Sequence, residues 1–309
     1  MDKSKFKGHL AAFTAYAIFG INIVSTKDIS NCGLIQPMVL FTFRAIGATS
    51  LFWLISLFLP KEKISPKDLG LTVIASFLGL FLTQTSFLKA ITCTTAIDVS
   101  IMGSVSPIFT MFVAAIFLKE PITWKKAFGV FLSFGGIVYL ILNSISISHG
   151  ADRTTPLGVL MMFVNAASFA CYLGIFRPLI EKYSVVTFMK WMFLFSLLMA
   201  LPFSAKGLAT TPYGEIGMKV WLEVGFLVLF ATFVSYFLIP YSQQRLRPTL
   251  VSMYTYLQPT LAVIISILTG IDHMSIRKAV AMVLVLLGVI IVNRSRALDR
   301  GGAAGGTAK

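Results

Sequence analysis

Charge is scarce in this sequence. Only 12% of its 309 residues are Asp, Glu, Lys or Arg, about half of the roughly 25% found in soluble proteins. Hydrophobic residues make up 57% and the mean hydropathy is +0.85. Such a chain is solvated by lipid over most of its length. Histidine is almost missing: His9, His149 and His273 all fall at the edges of apolar runs, where they build no haem or metal centre within a membrane. The three cysteines, Cys32, Cys93 and Cys171, are scattered. They form no C-x-x-C and no zinc spacing, so no disulfide framework, metal site or other cofactor is expected. The phosphate-binding pattern G-x-x-x-x-G-K-[ST] is absent, which excludes an ATP-driven pump. The "GSVS" at 103–106 has no histidine to activate a serine, so an enzyme is not expected. Long polar connections are lacking too, leaving no room for a soluble domain.

Apolar runs are what the sequence has in plenty. A spanning helix needs about 20 mostly apolar residues, and ten stretches qualify: about 8–26, 37–59, 68–88, 95–118, 124–143, 156–177, 184–204, 218–241, 248–270 and 276–293. Turn chemistry separates them, as in "PKEKISPKD" at 60–68 and "SISHGADRTTP" at 146–156. The opening "MDKSKFKGHLAAFTAYAIFGINIV" reads as an uncleaved first span. The glycine-rich end, 301–309, reads as a flexible tail. Net charge is +14, but the Lys and Arg lie in short segments between spans, so a nucleic-acid partner is not expected. With the N-terminus in the cytoplasm, 17 of them fall on the cytoplasmic side and 7 on the other. That bias places both termini inside, in the cytoplasmic (inner) membrane.

The stretch from Ser106 to Ile141 returns from Gln258 after a shift of 152 positions, without a gap. Pro107 falls on Pro259, Glu120 on Asp272, Lys126 on Lys278, Ala127 on Ala279 and Gly136 on Gly288. Ten spans then divide into five (1–150) and five (151–300). Five is odd, so the second set enters the membrane upside down. The expected fold is an all-α polytopic membrane protein of two inverted five-helix repeats, the plan of a secondary transporter whose halves rock around a midplane site.

"FLKEPITWKKAFGVFLSFGGIVYL" resembles the helix 4–5 signature of the EamA family in the drug/metabolite transporter superfamily, and "FTFRAIGA", with Arg44, resembles that family's helix 2 motif. The resemblance covers about 1–295. It implies a carrier of small metabolites such as amino acids, more often exporting than importing. The second copy departs from the pattern in "GIDHMS", with Asp272 where Glu is usual, and in Lys190, near the place of an Arg matching Arg44.

Candidate transport residues follow from chemistry that lipid penalises. Pro107 and Pro259 lie within spans, where each removes an amide donor and frees a carbonyl, those of Gly103 and Thr255. They are expected to bend helices 4 and 9, either lining the pathway as hinges or serving as structural kinks. Asp98 follows Thr95 by three residues, which suits a helix cap; the sharper reading has it face the cavity and contact a substrate amine or a proton. Arg44, about two turns into its span, needs an acidic partner, carbonyls or a substrate carboxylate, and reads equally as a structural pairing or as a gating residue. Asn22, Gln84, Asn165, Tyr172, Tyr236, Tyr254 and Gln258 must find partners in lipid. Each alone suits interhelical glue; together they suit a mixed polar and apolar binding cavity. Lys190 and Glu223 read as interfacial anchors, and glycines 79, 129, 135, 136 and 288 as sites of close helix packing. The expected partners are a small-molecule substrate and the bilayer, around a monomer or weak homodimer. An uncoupled facilitator or channel, and a scaffold or receptor with a vestigial transport fold, stay open.

Overall fold

The computed structural model describes residues 3–118, 123–147, 154–246, 251 and 254–303, and among them there are helices and turns but no strand. The helices are α1 (Lys3–Cys32), α2 (Pro37–Ser56), α3 (Pro66–Ser76), α4 (Thr83–Thr92), α5 (Ala96–Gly103), α6 (Ser106–Leu118), α7 (Trp124–Ile147) and α8 (Pro156–Ile175). They continue with α9 (Arg177–Lys182), α10 (Val185–Thr210), α11 (Met218–Phe226), α12 (Ser235–Gln243), α13 (Leu257–Thr269) and α14 (Ile276–Ala303). Among the described residues seven helical stretches are long and apolar enough to cross a membrane: Ser4–Cys32, Pro37–Ser56, Pro66–Thr92, Ala96–Val113, Pro156–Ile175, Val185–Thr210 and Met218–Gln243. Two shorter apolar helices are Ala127–Tyr139 and Tyr254–Thr269. The expected spans at 124–143, 248–270 and 276–293 fall on α7, on residues 251 and 254–269, and on α14. Helix α14 runs on to Ala303, through the start of the expected tail; Glu120 lies outside the described residues.

Local sequence sets the ends of these helices. Pro37, Pro66 and Pro156 each occupy a first turn, where the missing amide has no intrahelical partner to lose. Ser65, Thr155 and Ser184 cap α3, α8 and α10 by accepting the amides of Asp68, Gly158 and Thr187. The periphery is greasy: Phe58, Trp124, Phe131, Leu268 and Ile276 are each more than three-quarters exposed. Large apolar side chains exposed in this way suit a surface that faces lipid. Inside, α2 packs on α10 and α7 on α14, while α1 packs on α12 and α13 just as α8 packs on α4 and α6.

Helix shape shows one feature that the sequence did not announce and corrects one expectation. The third span is not one regular helix: a π turn, Phe77–Leu82, separates α3 from α4, and a second, Leu227–Val234, separates α11 from α12. Hydroxyls reaching five residues back accompany the widened turns, Thr83 Oγ1 to the Leu78 carbonyl (2.6 Å) and Thr232 Oγ1 to that of Leu227 (2.7 Å). The prolines, in turn, do not bend continuous helices. The chain leaves helical geometry at Ser104–Val105, and position 107 is the second residue of α6. A 3-10 turn, Tyr254–Tyr256, precedes α13, and Pro259 is its third residue. A proline in a first turn forfeits no intrahelical bond, so both prolines open helices after a break, and Gly103 and Thr255 sit at the breaks themselves.

Polar ties close both ends of the bundle. At the end holding the N-terminus of α1, His9 Nδ1 meets the Tyr254 hydroxyl at 2.8 Å, and Asp68 binds Lys182 and the Tyr183 hydroxyl (2.6 Å). At the same end Glu62 accepts from the amide of Ser184 (3.1 Å) and from its hydroxyl (2.6 Å). Burial pushes the Glu62 carboxyl up, but hydrogen bonds from Ser184 and Thr187 and the charge of Lys190 pull it further down, leaving it below its ordinary value. A carboxyl lowered in the folded state stabilises above its unfolded pKa and loses that contribution as pH falls through the folded value. Melting temperature measured on the detergent-solubilised chain from neutrality down past about pH 4 should therefore fall less steeply for Glu62→Gln than for the wild type.

Candidate functional site

A cavity of about 80 Å³ lies within the bundle, walled by residues from both halves of the chain. From α1 come Tyr16, Phe19, Asn22 and Ile23; from α4, Thr83, Gln84 and Phe87; from the broken α5–α6 pair, Val99, Gly103 and Ser106. The remaining wall is Met162, Asn165 and Phe169 of α8, Tyr236 of α12, Thr255 of the 3-10 turn and Gln258 of α13. Among the described residues no carboxylate, ammonium or guanidinium lines it. Its polar side chains are partly tied together: the Asn165 amide donates to the Thr83 carbonyl (2.8 Å), Thr83 and Ser168 share a hydroxyl bond (2.8 Å), and the Gln84 amide donates to the Tyr236 hydroxyl. Among the described residues the Tyr16 hydroxyl and Gln84 Oε1 have no hydrogen-bond partner. Three phenylalanines, Ile23, Val99 and Met162 supply the apolar part, as is usual for small-molecule sites.

Of the candidates named from sequence, Asn22, Gln84, Asn165, Tyr236 and Gln258 share this cavity. Four lie elsewhere. Tyr172 is 2% exposed, its ring packed over Gly79 and beside Phe169. Tyr254 bonds to His9 at one end of the bundle. Arg44 is buried beside the second π turn, where its Nε donates to Thr232 Oγ1 at 2.7 Å. Asp98 is buried in an ionic knot at the other end. Tyr16 and Thr83 were not among the candidates, because a lone Tyr or Thr in an apolar run looks the same whichever way its helix turns. A helical-wheel comparison would have helped: Tyr16, Phe19, Asn22 and Ile23 follow the three- and four-residue spacing of one face.

The ionic knot has a clear local origin. Thr95 caps α5 by accepting the Asp98 amide (3.2 Å), and an acid in the first turn suits the positive end of the helix. Gly270, at φ +69°, ends α13 with a left-handed residue, and the Ile271 amide bonds back to the Ser266 carbonyl (3.1 Å). That turn delivers Asp272 to the same α5 N-terminus, where its Oδ2 accepts the Ile97 amide at 3.0 Å. Lys278 joins the two acids, with Nζ 2.8 Å from Asp272, 3.1 Å from Thr95 Oγ1 and 3.8 Å from Asp98, while the Thr154 hydroxyl donates to Asp98. Asp98 is thus a first-turn residue of α5 held in the ionic knot, and no part of the cavity wall.

A many-spanned helical bundle around a small mixed cavity is the architecture of a membrane carrier. The chain belongs to the EamA-like transporter family, whose pattern matches it over residues 6–142 and again over 156–294. It is similar to an uncharacterized transporter of Archaeoglobus fulgidus, 24% identical over 64% of this chain and 67% of that one. The transporter YyaM of Bacillus subtilis, also uncharacterized, is 23% identical over 71% of each chain. A probable terminal-alkyne amino-acid exporter of Streptantibioticus cattleyicolor is 26% identical over 65% of each. One solved protein structure shares the fold, with a TM-score of 0.66 at 14% identity over 93% of this chain and 97% of its own. The protein is a multi-pass membrane transporter and not an enzyme.

Proposed function

We propose that the chain is a ten-helix secondary transporter of the cytoplasmic (inner) membrane, exporting amino acids or related small metabolites by alternating access. Its halves, 1–150 and 151–300, are inverted repeats with both termini cytoplasmic, and a monomer suffices. The observation that carries this reading is the bond between Gln84 and Tyr236 in the cavity wall: the two are 152 positions apart, the shift that superposes the halves in sequence. Residues related by a two-fold axis touch only on that axis, so the cavity lies where two halves pivot. Ser133 and Val285, also 152 apart, are joined by a 3.1 Å bond between α7 and α14. The α3–π–α4 succession, shifted by the same amount, is the α11–π–α12 succession. The amino-acid class rests on the one relative named an amino-acid exporter and on a wall that pairs amide and hydroxyl groups with aromatic rings.

Cavity size supports moving halves over a fixed pore. About 80 Å³ is roughly half of the ~150 Å³ that lodges a benzene ring, so the walls must part to admit an amino acid. Counterflow tests this: liposomes containing the chain and preloaded with an unlabelled amino acid should take up its labelled form transiently above equilibrium, with saturation. Simple equilibration without overshoot would favour a facilitator. Orientation is tested separately with single cysteines at Glu120 and His273 in intact cells. A membrane-impermeant maleimide should label only one of them, and labelling of both from the same side would sink the inverted repeat.

A further inference from the structure

Among the described residues Arg44 is the largest fully buried side chain, with 1% of its surface exposed. Among the described residues only its Nε is bonded, to Thr232, and Nη1 and Nη2 have no partner. Sequence alone leaves an acid, a carbonyl or a substrate carboxylate to hold this guanidinium, and among the described residues no acid or carbonyl does. A desolvated cation with four unmet N–H donors is costly, and its planar fork matches a carboxylate. Arg44 does not itself line the cavity, but it binds the residue four positions before Tyr236, which does. Thr232, its one partner, belongs to the second π turn, immediately before the helix that carries Tyr236. Widened turns of this kind recur at functional sites because they loosen a helix locally.

We propose that Arg44 is the anchor for a carboxylate of the transported solute, reached when Tyr236 and Gln84 separate and the cavity extends towards the second π turn. This rests on the transport reading above and narrows it. The solute carries a carboxylate, its apolar body lies against Phe19, Phe87 and Phe169, and the rest of the cavity wall offers its cationic group, if it has one, only neutral acceptors such as Gln84 Oε1. Since the cavity wall itself is uncharged, the guanidinium is what selects for the acid.

The experiment is a melting-temperature series on the full detergent-purified chain with four probes sharing one body: 3-phenylpropanoate, L-phenylalanine, 3-phenylpropanamide and phenethylamine, each at 10 mM. The two carboxylates are expected to raise the melting temperature by about 2–4 °C, and the amide and the amine to leave it within about 1 °C. Arg44→Met should abolish the shift while melting, without ligand, at or above the wild-type temperature, since a buried cation with no protein counter-charge is replaced by an apolar side chain. Arg44→Gln, which keeps amide donors without charge, should also lose the shift. Equal shifts with amide and carboxylate, a shift surviving in Arg44→Gln, or no shift with either carboxylate would overturn the assignment. Counterflow of some other solute in those cases leaves the transporter intact, whereas its absence for all solutes is a failure of the broader reading.

Discussion

Lys278→Met will lower the melting temperature far more than Lys219→Met, although each removes a lysine that bridges two acids. Lys219 is 74% exposed and binds Asp28 and Glu223 at the rim; pairs of that kind contribute about 0–1 kcal/mol. Lys278 is 15% exposed and faces carboxylates of Asp98 and Asp272 that are 1% and 7% exposed. Taking away the cation strands two acids in a desolvated site, for which the typical cost is about 3–5 kcal/mol. Asp98→Asn should cost less, because the 3.8 Å contact to Lys278 is the longer of the two and an amide still accepts from Thr154. Adding Asp98→Asn and Asp272→Asn to Lys278→Met should recover much of the loss, since no buried charge then lacks its partner. Thermal melts of the purified variants decide the matter. Equal losses at Lys278 and Lys219 would mean that the knot contributes no more than a rim bridge.

The knot also marks where the sequence stopped being informative. Thr95 and Asp98, three apart, revealed a helix cap because capping is a local pattern. That Asp272 would bond the Ile97 amide, 175 residues away, depends on how two loops meet, and no local pattern encodes it. The cavity was more legible. Asn22, Gln84, Asn165, Tyr236 and Gln258 are polar residues within apolar spans, and lipid forces such groups inward. The same logic misplaced Tyr172, which is buried but turned towards Gly79, because inward does not mean towards the cavity. The prolines drew attention to Gly103 and Thr255, and both line the cavity, yet the geometry there is a break and not a bend. The π turns left no trace in the hydrophobic pattern: Phe77–Leu82 is apolar on every side, so a change in helical period has nothing to register against.

Adding a single methyl group to helix glycines will have opposite effects at two places read alike from sequence. Gly288 of α14 meets α7 at backbone contact: a Cβ there would sit 2.7 Å from the Ser133 amide nitrogen and closer still to the Gly129 carbonyl. Neither atom is the end of a flexible side chain, so Gly288→Ala must push α14 off α7 and strain the Ser133 bond to Val285. Overpacking of this kind costs about 1–3 kcal/mol, and close small-residue contacts are a main source of helix association within a membrane. Gly288→Leu should exceed that range. Gly135, on α7, faces open space, with nothing within 4 Å of an added Cβ, and there alanine gains up to about 1 kcal/mol of helix propensity. At its neighbour Gly136 an added Cβ would lie 2.9–3.0 Å from atoms of Leu284, Ala281 and Val285, so Gly136→Ala should fall between the two. In thermal melts the order of stability is therefore Gly135→Ala at or above wild type, then Gly136→Ala, then Gly288→Ala, then Gly288→Leu. If the two alanine variants at 135 and 288 melted together, the α7–α14 interface would not be the close backbone crossing that the Ser133–Val285 bond implies.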